Sequence, residues 1–297
     1  MTKDSMLPFL DKAIYGVRAW LSWPKVGAQL LRRQDENLES MHDFLMRAEW
    51  LRAREETRNP LNRFGAKYFS QGDEDGLTLE IIKRLGIENG AFAELGVGNG
   101  LENNTLILLA SGWRGFWIGG EDLAFNHQLN PKRFRFLKAW VTLENVTSLI
   151  RQGMEGVGLP ELDVLGLDLD GNDYYLAREI LSAGISPKLF ILEYNAKFPP
   201  PIKWKLEYNA NHSWDGTDYQ GASLASFAEL LSEHSYALVC CNAATGANAF
   251  FVKKEYLPLF AEIPKSMDDV FVECRFQVYK RWGHLPSPKT VETMLTE

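Results

Sequence analysis

Residues 91–100 change character abruptly. Ala91, Phe92, Ala93 and Leu95 form an apolar run broken by Glu94, and glycines then stand at 96, 98 and 100. A short run that is apolar on both faces predicts a buried parallel strand. Glycines directly after it predict a tight turn where backbone approaches a ligand. Residues 101–105 then open a helix that runs to 110, with Asn103 or Asn104 as its N-cap. The alternation continues along the chain. Apolar runs predict strands at 115–118, 136–141, 163–167 and 188–192, and helical spacing predicts helices at 77–85, 146–155, 176–183 and 223–232. The last two runs, 236–241 and 248–252, alternate around Thr245-Gly246 and predict a hairpin. Five βα units and a hairpin make a mostly parallel sheet, its last strand antiparallel, with helices on both faces: a Rossmann-like α/β fold.

The flanks have a different pattern. Met6, Leu7, Leu10, Ile14, Val17, Trp20 and Leu21 recur at helical spacing, and Pro24 is expected to end that helix. A second, charged helix follows at 34–57, with Leu38, Met41, Phe44, Leu45, Ala48 and Leu51 on one side. Residues 1–60 are thus read as a helical extension: a cap on the core, a homo-oligomer contact, or a peripheral attachment to the inner face of a membrane. Pro60 and Gly65 mark a linker. Residues 61–254 hold the sheet. Residues 255–297 form a partly helical tail in which Pro286 and Pro288 oppose a helix.

Composition narrows the partners. The 297 residues are 45% hydrophobic and carry a net charge of −7, which disfavours nucleic acid and leaves a small-molecule or glycan acceptor. Cys240, Cys241 and Cys274 lack metal-ligand spacing and fit a reducing, cytoplasmic compartment. No apolar run reaches transmembrane length.

The glycines decide the expected ligand. A dinucleotide site wants G-x-G-x-x-G, but Leu101 stands where the third glycine belongs. The pattern here, Glu94-x-Gly96-x-Gly98-x-Gly100, resembles motif I of class I S-adenosylmethionine (SAM) methyltransferases. The candidate cofactor residues are therefore Glu94, Gly96, Gly98, Asn99, Gly100, Asn104 and Thr105. Glu121 or Asp122, about 20 residues past the turn, is placed to hold a ribose. Glu144 and Asn145 stand after the third strand, for an adenine edge, although Asn145 equally suits a helix cap.

Acids also end the fourth and fifth strands: Asp168, Asp170 and Asp173 on one, Glu193 with Asn195 on the other. As neighbours in an open sheet they meet in one crevice. Asp168, Asp170, Glu193 and Asn195 form a candidate Mg²⁺ set, with oxygen donors suited to a hard cation. Asp168 and Asp170 are also catalytic candidates. The alternative for 170–173 is a turn that caps the next helix. An excursion at 196–221 follows the fifth strand, and loops of that length are commonly functional. Its His212 is the candidate base, with Lys197 second. Its Trp204, Trp214 and Tyr219, with Tyr194 before it, are candidate acceptor contacts.

Taken together, Ser70-Gln71, Glu94 to Gly100, Glu102 to Thr105, Asp168 to Asp173, Glu193 to Asn195, Gly221 to Ser223 and Asn248 to Phe251 resemble FkbM-related SAM-dependent methyltransferases. That resemblance spans about 68–254. It implies transfer of a methyl group to a hydroxyl of a sugar or glycan-type acceptor, as in polysaccharide or natural-product biosynthesis. One departure stands out. Relatives often carry an acid after Trp-Ile at the second strand end, whereas this chain reads Trp117-Ile118-Gly119-Gly120. Two other functions compete: a glycosyltransferase that uses Asp168-Leu169-Asp170 as D-x-D, and a non-catalytic scaffold.

Overall fold

The computed structural model describes residues 7–275. The chain divides into two units, Met1–Leu51 and Arg52–Glu297. Helix α1 (Leu7–Glu56) is one helix where the sequence predicts two. Pro24 removes one hydrogen bond and crowds one carbonyl, a local cost that good helix formers on either side outweigh. The side chains of the predicted first apolar face lie outside the described residues. On the later face, Leu38, Met41, Phe44, Leu45 and Leu51 are exposed. Among the described residues no helix is long and apolar enough to cross a membrane.

The second unit is built on seven strands: β1 (Ala91–Leu95), β2 (Arg114–Gly119), β3 (Phe134–Lys138), β4 (Val164–Leu167), β5 (Leu189–Glu193), β6 (Tyr236–Cys241) and β7 (Asn248–Lys253). Their order is β3-β2-β1-β4-β5-β7-β6. β1 pairs with β2 and β4 in parallel, and β7 pairs with β5 and β6 antiparallel. This is the Rossmann-like class I methyltransferase sheet that the strand runs and the final hairpin predict. β3 is the one displaced strand, starting two residues earlier than its apolar run. Phe134 is its buried anchor, packed edge-on against Trp117 with ring centroids 4.9 Å apart.

Alternation along the central strands makes two cores. Ala91, Ala93 and Leu95 of β1 face one layer and Phe92 faces the other. The first layer takes Val146 and Ile150 of α4 (Val146–Val157), Leu176 and Ile180 of α5 (Asp173–Ser182), and Leu224 and Phe227 of α6 (Leu224–Glu233). The second takes Leu77 and Ile81 of α2 (Glu74–Arg84) and Ile107 and Leu108 of α3 (Leu106–Ala110). Close approach demands one glycine in particular. A Cβ at Gly153 of α4 would lie 2.3 Å from Phe116 of β2. After the hairpin come a 3₁₀ stretch, Lys254–Phe260, and the short α7 (Met267–Val270). The tail prolines lie outside the described residues. Cys240 and Cys241 are buried free thiols.

Candidate active site

The site grows from the end of β1. Glu94 is buried, and its carboxylate accepts from the Asn104 N–H (3.0 Å), the Thr105 N–H (2.8 Å) and the Thr105 hydroxyl (2.5 Å). It therefore does the N-capping expected of Asn103 or Asn104, and α3 starts only at Leu106. Thr105 is wholly buried and also accepts from the Trp117 indole N–H at 2.8 Å. Burial raises the Glu94 pKa against these donors.

The three glycines separate by role. All have positive φ. A Cβ at Gly96 would meet the Asp168 carbonyl oxygen at 1.6 Å, and one at Gly100 would meet Leu123 at 2.8 Å. Those two positions exclude side chains because protein backbone and core approach them. Only at Gly98 does the space stay open, with nothing within 4 Å.

Gly98 borders a cleft of about 310 Å³ at the carboxyl edge of the sheet, within the size range of small-molecule sites. Gln71, Glu94, Gly96 to Asn99, Glu102, Asn103, Asn104, Asp168, Asp170 and Glu193 line it. Five of these are acids, and none is Lys or Arg. A cleft of about 390 Å³ lies elsewhere, between Glu56 to Asn62 and Asp268 to Arg275, and no sheet strand lines it.

At the floor of the first cleft, Asp168, Asp170 and Glu193 bring carboxylate oxygens within 4.8 Å of one another. Burial, then the charge of Asp170, pushes the Asp168 carboxyl well up. Burial, then the charge of Asp168, does the same to Glu193. Carboxyls this close share a proton rather than ionise together. Asp173 is not part of the cluster. It accepts from the Leu169 N–H (2.8 Å) and the Gly171 N–H (2.9 Å), which holds Asp170 at φ 54°. Asp168 and Asp170 thus line the cleft while Asp173 builds the turn.

Several predicted residues lie elsewhere. Asn195 directs its amide N–H groups to the carbonyls of Asp218 (2.7 Å) and Gln220 (2.9 Å), and its oxygen accepts from the Lys197 N–H (3.1 Å). It clasps the 196–222 loop rather than joining the acids. Tyr194 is buried and donates to the Val272 carbonyl at 2.7 Å. Trp204 and Tyr219 are buried with Phe198 and Leu206 in a core belonging to the loop, where Trp204 stacks on Phe198 at 4.3 Å. A loop this long needs its own apolar centre, and these aromatics supply it. Trp214 donates to the Thr217 carbonyl within the loop. None of these four aromatics lines the cleft.

The histidine is nearer. His212 Nε2 lies 3.1 Å from the Asp170 carbonyl oxygen, and its ring covers Gly171. It braces the Asp170 turn from outside the lining. Glu121 and Asp122 are exposed, and Asp122 pairs with Lys138 at 2.7 Å. Asn145 accepts from the Thr142 N–H and donates to the Trp140 carbonyl, both at 2.8 Å, so it serves the turn. Glu144 is exposed, with a pKa lowered first by the Thr142 side chain. The Gly119 departure has a steric reason. A Cβ there would meet the Val97 side chain at 2.9 Å, so a side chain at 119 requires Val97 to shift.

Val97, Gln71, Glu102 and Asn103 join the cleft without having been predicted as ligand contacts. For Gln71 the signal was present in Ser70-Gln71. Val97, Glu102 and Asn103 likewise fall in the stretches Glu94 to Gly100 and Glu102 to Thr105, and only the fold sets their direction.

No protein-family model matches the sequence, and no curated protein matches it. Weak likenesses to solved structures exist. The 1,6-didemethyltoxoflavin-N1-methyltransferase of Burkholderia thailandensis is 18% identical, with 59% of this chain and 76% of that one covered and a TM-score of 0.38. An O-methyltransferase family 2 protein of Planctomyces limnophilus is 12% identical over 71% and 61%, with a TM-score of 0.34. Precorrin-6y C5,15-methyltransferase of Geobacter metallireducens is 14% identical over 66% and 100%, also at 0.34. TM-scores this low bear on neither the reaction nor the acceptor.

Proposed function

We propose that this chain is a SAM-dependent methyltransferase acting on a hydroxyl of a neutral, sugar-type acceptor. One observation carries the reading. The open side of Gly98 and the Asp168–Glu193 pair belong to one cleft, at the carboxyl ends of β1, β4 and β5, where ligands of open α/β sheets gather. SAM would supply a methyl group on a positively charged sulfonium. The residues present fit it: Gly98 leaves space, Gln71, Asn103 and Asn104 offer amides, and the acid-rich lining favours a cation.

On this reading Asp168 and Glu193, both lining the cleft, receive the proton of the acceptor hydroxyl. In a pair that holds one proton between two carboxyls, the ionised member would take the acceptor proton as the oxygen gains the methyl group. Hydroxyl-rich acceptors suit a floor of carboxylates and amides, and anionic acceptors are repelled. Trp204 and Tyr219 lend the sugar reading no support, because they fill the loop's own core, and Trp214 does not line the cleft. Asp168, Asp170 and Glu193 also fit a divalent cation such as Mg²⁺: three hard oxygen donors in reach of one ion. Bound there, it would lower the pKa of a coordinated hydroxyl.

The D-x-D glycosyltransferase reading has Asp168-Leu169-Asp170 in its favour. The lining lacks the basic side chains that a nucleoside diphosphate calls for. Titration calorimetry with SAM, S-adenosylhomocysteine and UDP-sugars separates the readings. The first two should bind and the UDP-sugars should not; the reverse pattern assigns a glycosyltransferase, and no binding by any of them assigns a scaffold. EDTA should stop turnover while leaving SAM bound if the cation is required, and full activity in EDTA leaves the carboxylate pair as sole base.

A further inference from the structure

Three consecutive acids open α2, and each holds different backbone. Asp75 accepts from the N–H groups of Tyr68 (2.7 Å), Phe69 (2.5 Å) and Ser70 (2.9 Å). Asp73 accepts from the N–H groups of Ala243 (3.2 Å) and Ala244 (2.9 Å) and from the Asn242 amide (3.1 Å). Glu74 stands between them and is 1% exposed. Its Oε2 accepts from the Gly72 N–H at 2.7 Å, and its Oε1 accepts from the amides of Asn242 (2.9 Å) and Asn248 (3.2 Å). Asn248 in turn accepts from the Asn104 amide at 3.3 Å. Gly72 follows Gln71, and both Gln71 and Asn104 line the cleft while Glu74 does not.

We infer that Glu74 is a positioning residue for the cofactor cleft: its carboxylate sets Gln71 through Gly72 and Asn104 through Asn248. The inference rests on reading that cleft as the SAM site. It gives the Ser70-Gln71 stretch a physical task. Gln71 is pinned on both sides, by Asp75 at the Ser70 N–H and by Glu74 at the Gly72 N–H. The Asn104 wall is pinned twice as well, by Glu94 at the backbone and by the Asn248–Glu74 link at the side chain.

The chemistry of the link requires the ionised acid. Three donors point at the two oxygens, and a carboxylate accepts from all three. A protonated carboxyl presents an O–H toward one of them and loses that contact. The groups that face Glu74 are Asp73 from its own helix, Asn242 and Asn248 from the hairpin, and Gly72 from the preceding loop. Asp73 is the one charged group among them. Burial first, and the Asp73 charge second, push Glu74 up to about 7. The link is therefore complete above neutrality and loses a contact below it.

The test compares the whole protein with Glu74→Gln, measuring S-adenosylhomocysteine affinity by calorimetry from pH 5.5 to 8.5. Wild type should bind more weakly as pH falls through about 7. Glu74→Gln should bind ~10-fold more weakly at pH 8, roughly 1.4 kcal/mol, and should lose that part of the pH dependence. The Michaelis constant for SAM should rise while that for the acceptor stays put, a split that a general loss of fold does not produce. Should Glu74→Gln melt without cooperativity, Asn248→Ala serves instead, since it cuts the link to Asn104 and keeps both acids. Affinity equal to wild type at pH 8, or an unchanged pH profile in the variant that folds, overturns the inference and leaves the SAM reading intact. Absence of binding by wild type at every pH defeats the SAM reading, and the inference with it.

Discussion

Two glycines two positions apart answer to different demands, and substitution should separate them. Gly96 has the Asp168 carbonyl oxygen where its Cβ would go, and its φ of 90° disfavours any side chain. Gly96→Ala should cost ~3 kcal/mol or more, from overpacking plus left-handed strain. A denaturant midpoint equal to wild type would contradict the close approach. Gly98 has φ 48° and open space, and asparagine tolerates that conformation. Gly98→Asn should fold normally and lose S-adenosylhomocysteine affinity ~10-fold or more, about 1.4 kcal/mol, because its side chain enters the cleft mouth. Full affinity in that variant removes Gly98 from the cofactor site.

At the scale of elements, the 196–222 loop depends on one amide. Asn195 is buried at the exit of β5 and makes three hydrogen bonds to loop backbone. The loop then bridges two helix entries. Asn209 exchanges hydrogen bonds with Asn172 ahead of α5, and the Ala210 carbonyl accepts from the Trp140 indole ahead of α4. Asn195→Ala removes a donor from each of the Asp218 and Gln220 carbonyls and the anchor of the Lys197 N–H, at about 2 kcal/mol or more. The expected result is faster proteolysis within 196–222 and a lower melting temperature, with divalent-cation affinity retained. Loss of cation affinity in a variant whose loop stays intact would return Asn195 to the ligand set.

The whole molecule carries an electrostatic load that sets its response to pH. Asp73, Glu74, Glu94, Asp168, Asp173 and Glu193 all have raised pKa values, with burial the first cause in each. A raised acid binds its proton more tightly in the folded chain than in the unfolded one, so stability falls as pH rises through the folded pKa. For Glu74 that window runs from the ordinary 4.5 to about 7. Opposing it, Glu262 is lowered by its bond to Arg84 and loses stability only at strongly acid pH. The ligand-free protein should therefore melt higher at pH 6 than at pH 8 in scanning calorimetry. A melting point that climbs steadily to pH 8 would show that these carboxyls are not held as the structure places them.

The sequence by itself determined the fold and the place of the site. Short doubly apolar runs specify buried parallel strands wherever they sit, and the alternating final hairpin specifies the antiparallel β7, because both signals are local. Glu94, the glycine turn, Asp168, Asp170 and Glu193 were legible for the same reason: each ends a strand, and strand ends meet at one edge. Tertiary structure decided direction. Asn195 and Glu193 are two residues apart, yet one clasps a loop and the other faces the cleft. Trp204 and Tyr219 read as acceptor contacts until the loop closes around them. Glu74 lies ahead of the helix predicted at 77–85, and only the hairpin, some 170 residues later, supplies Asn248, the amide that connects it to Asn104. Such roles depend on partners distant in the chain, and local periodicity carries no information about them.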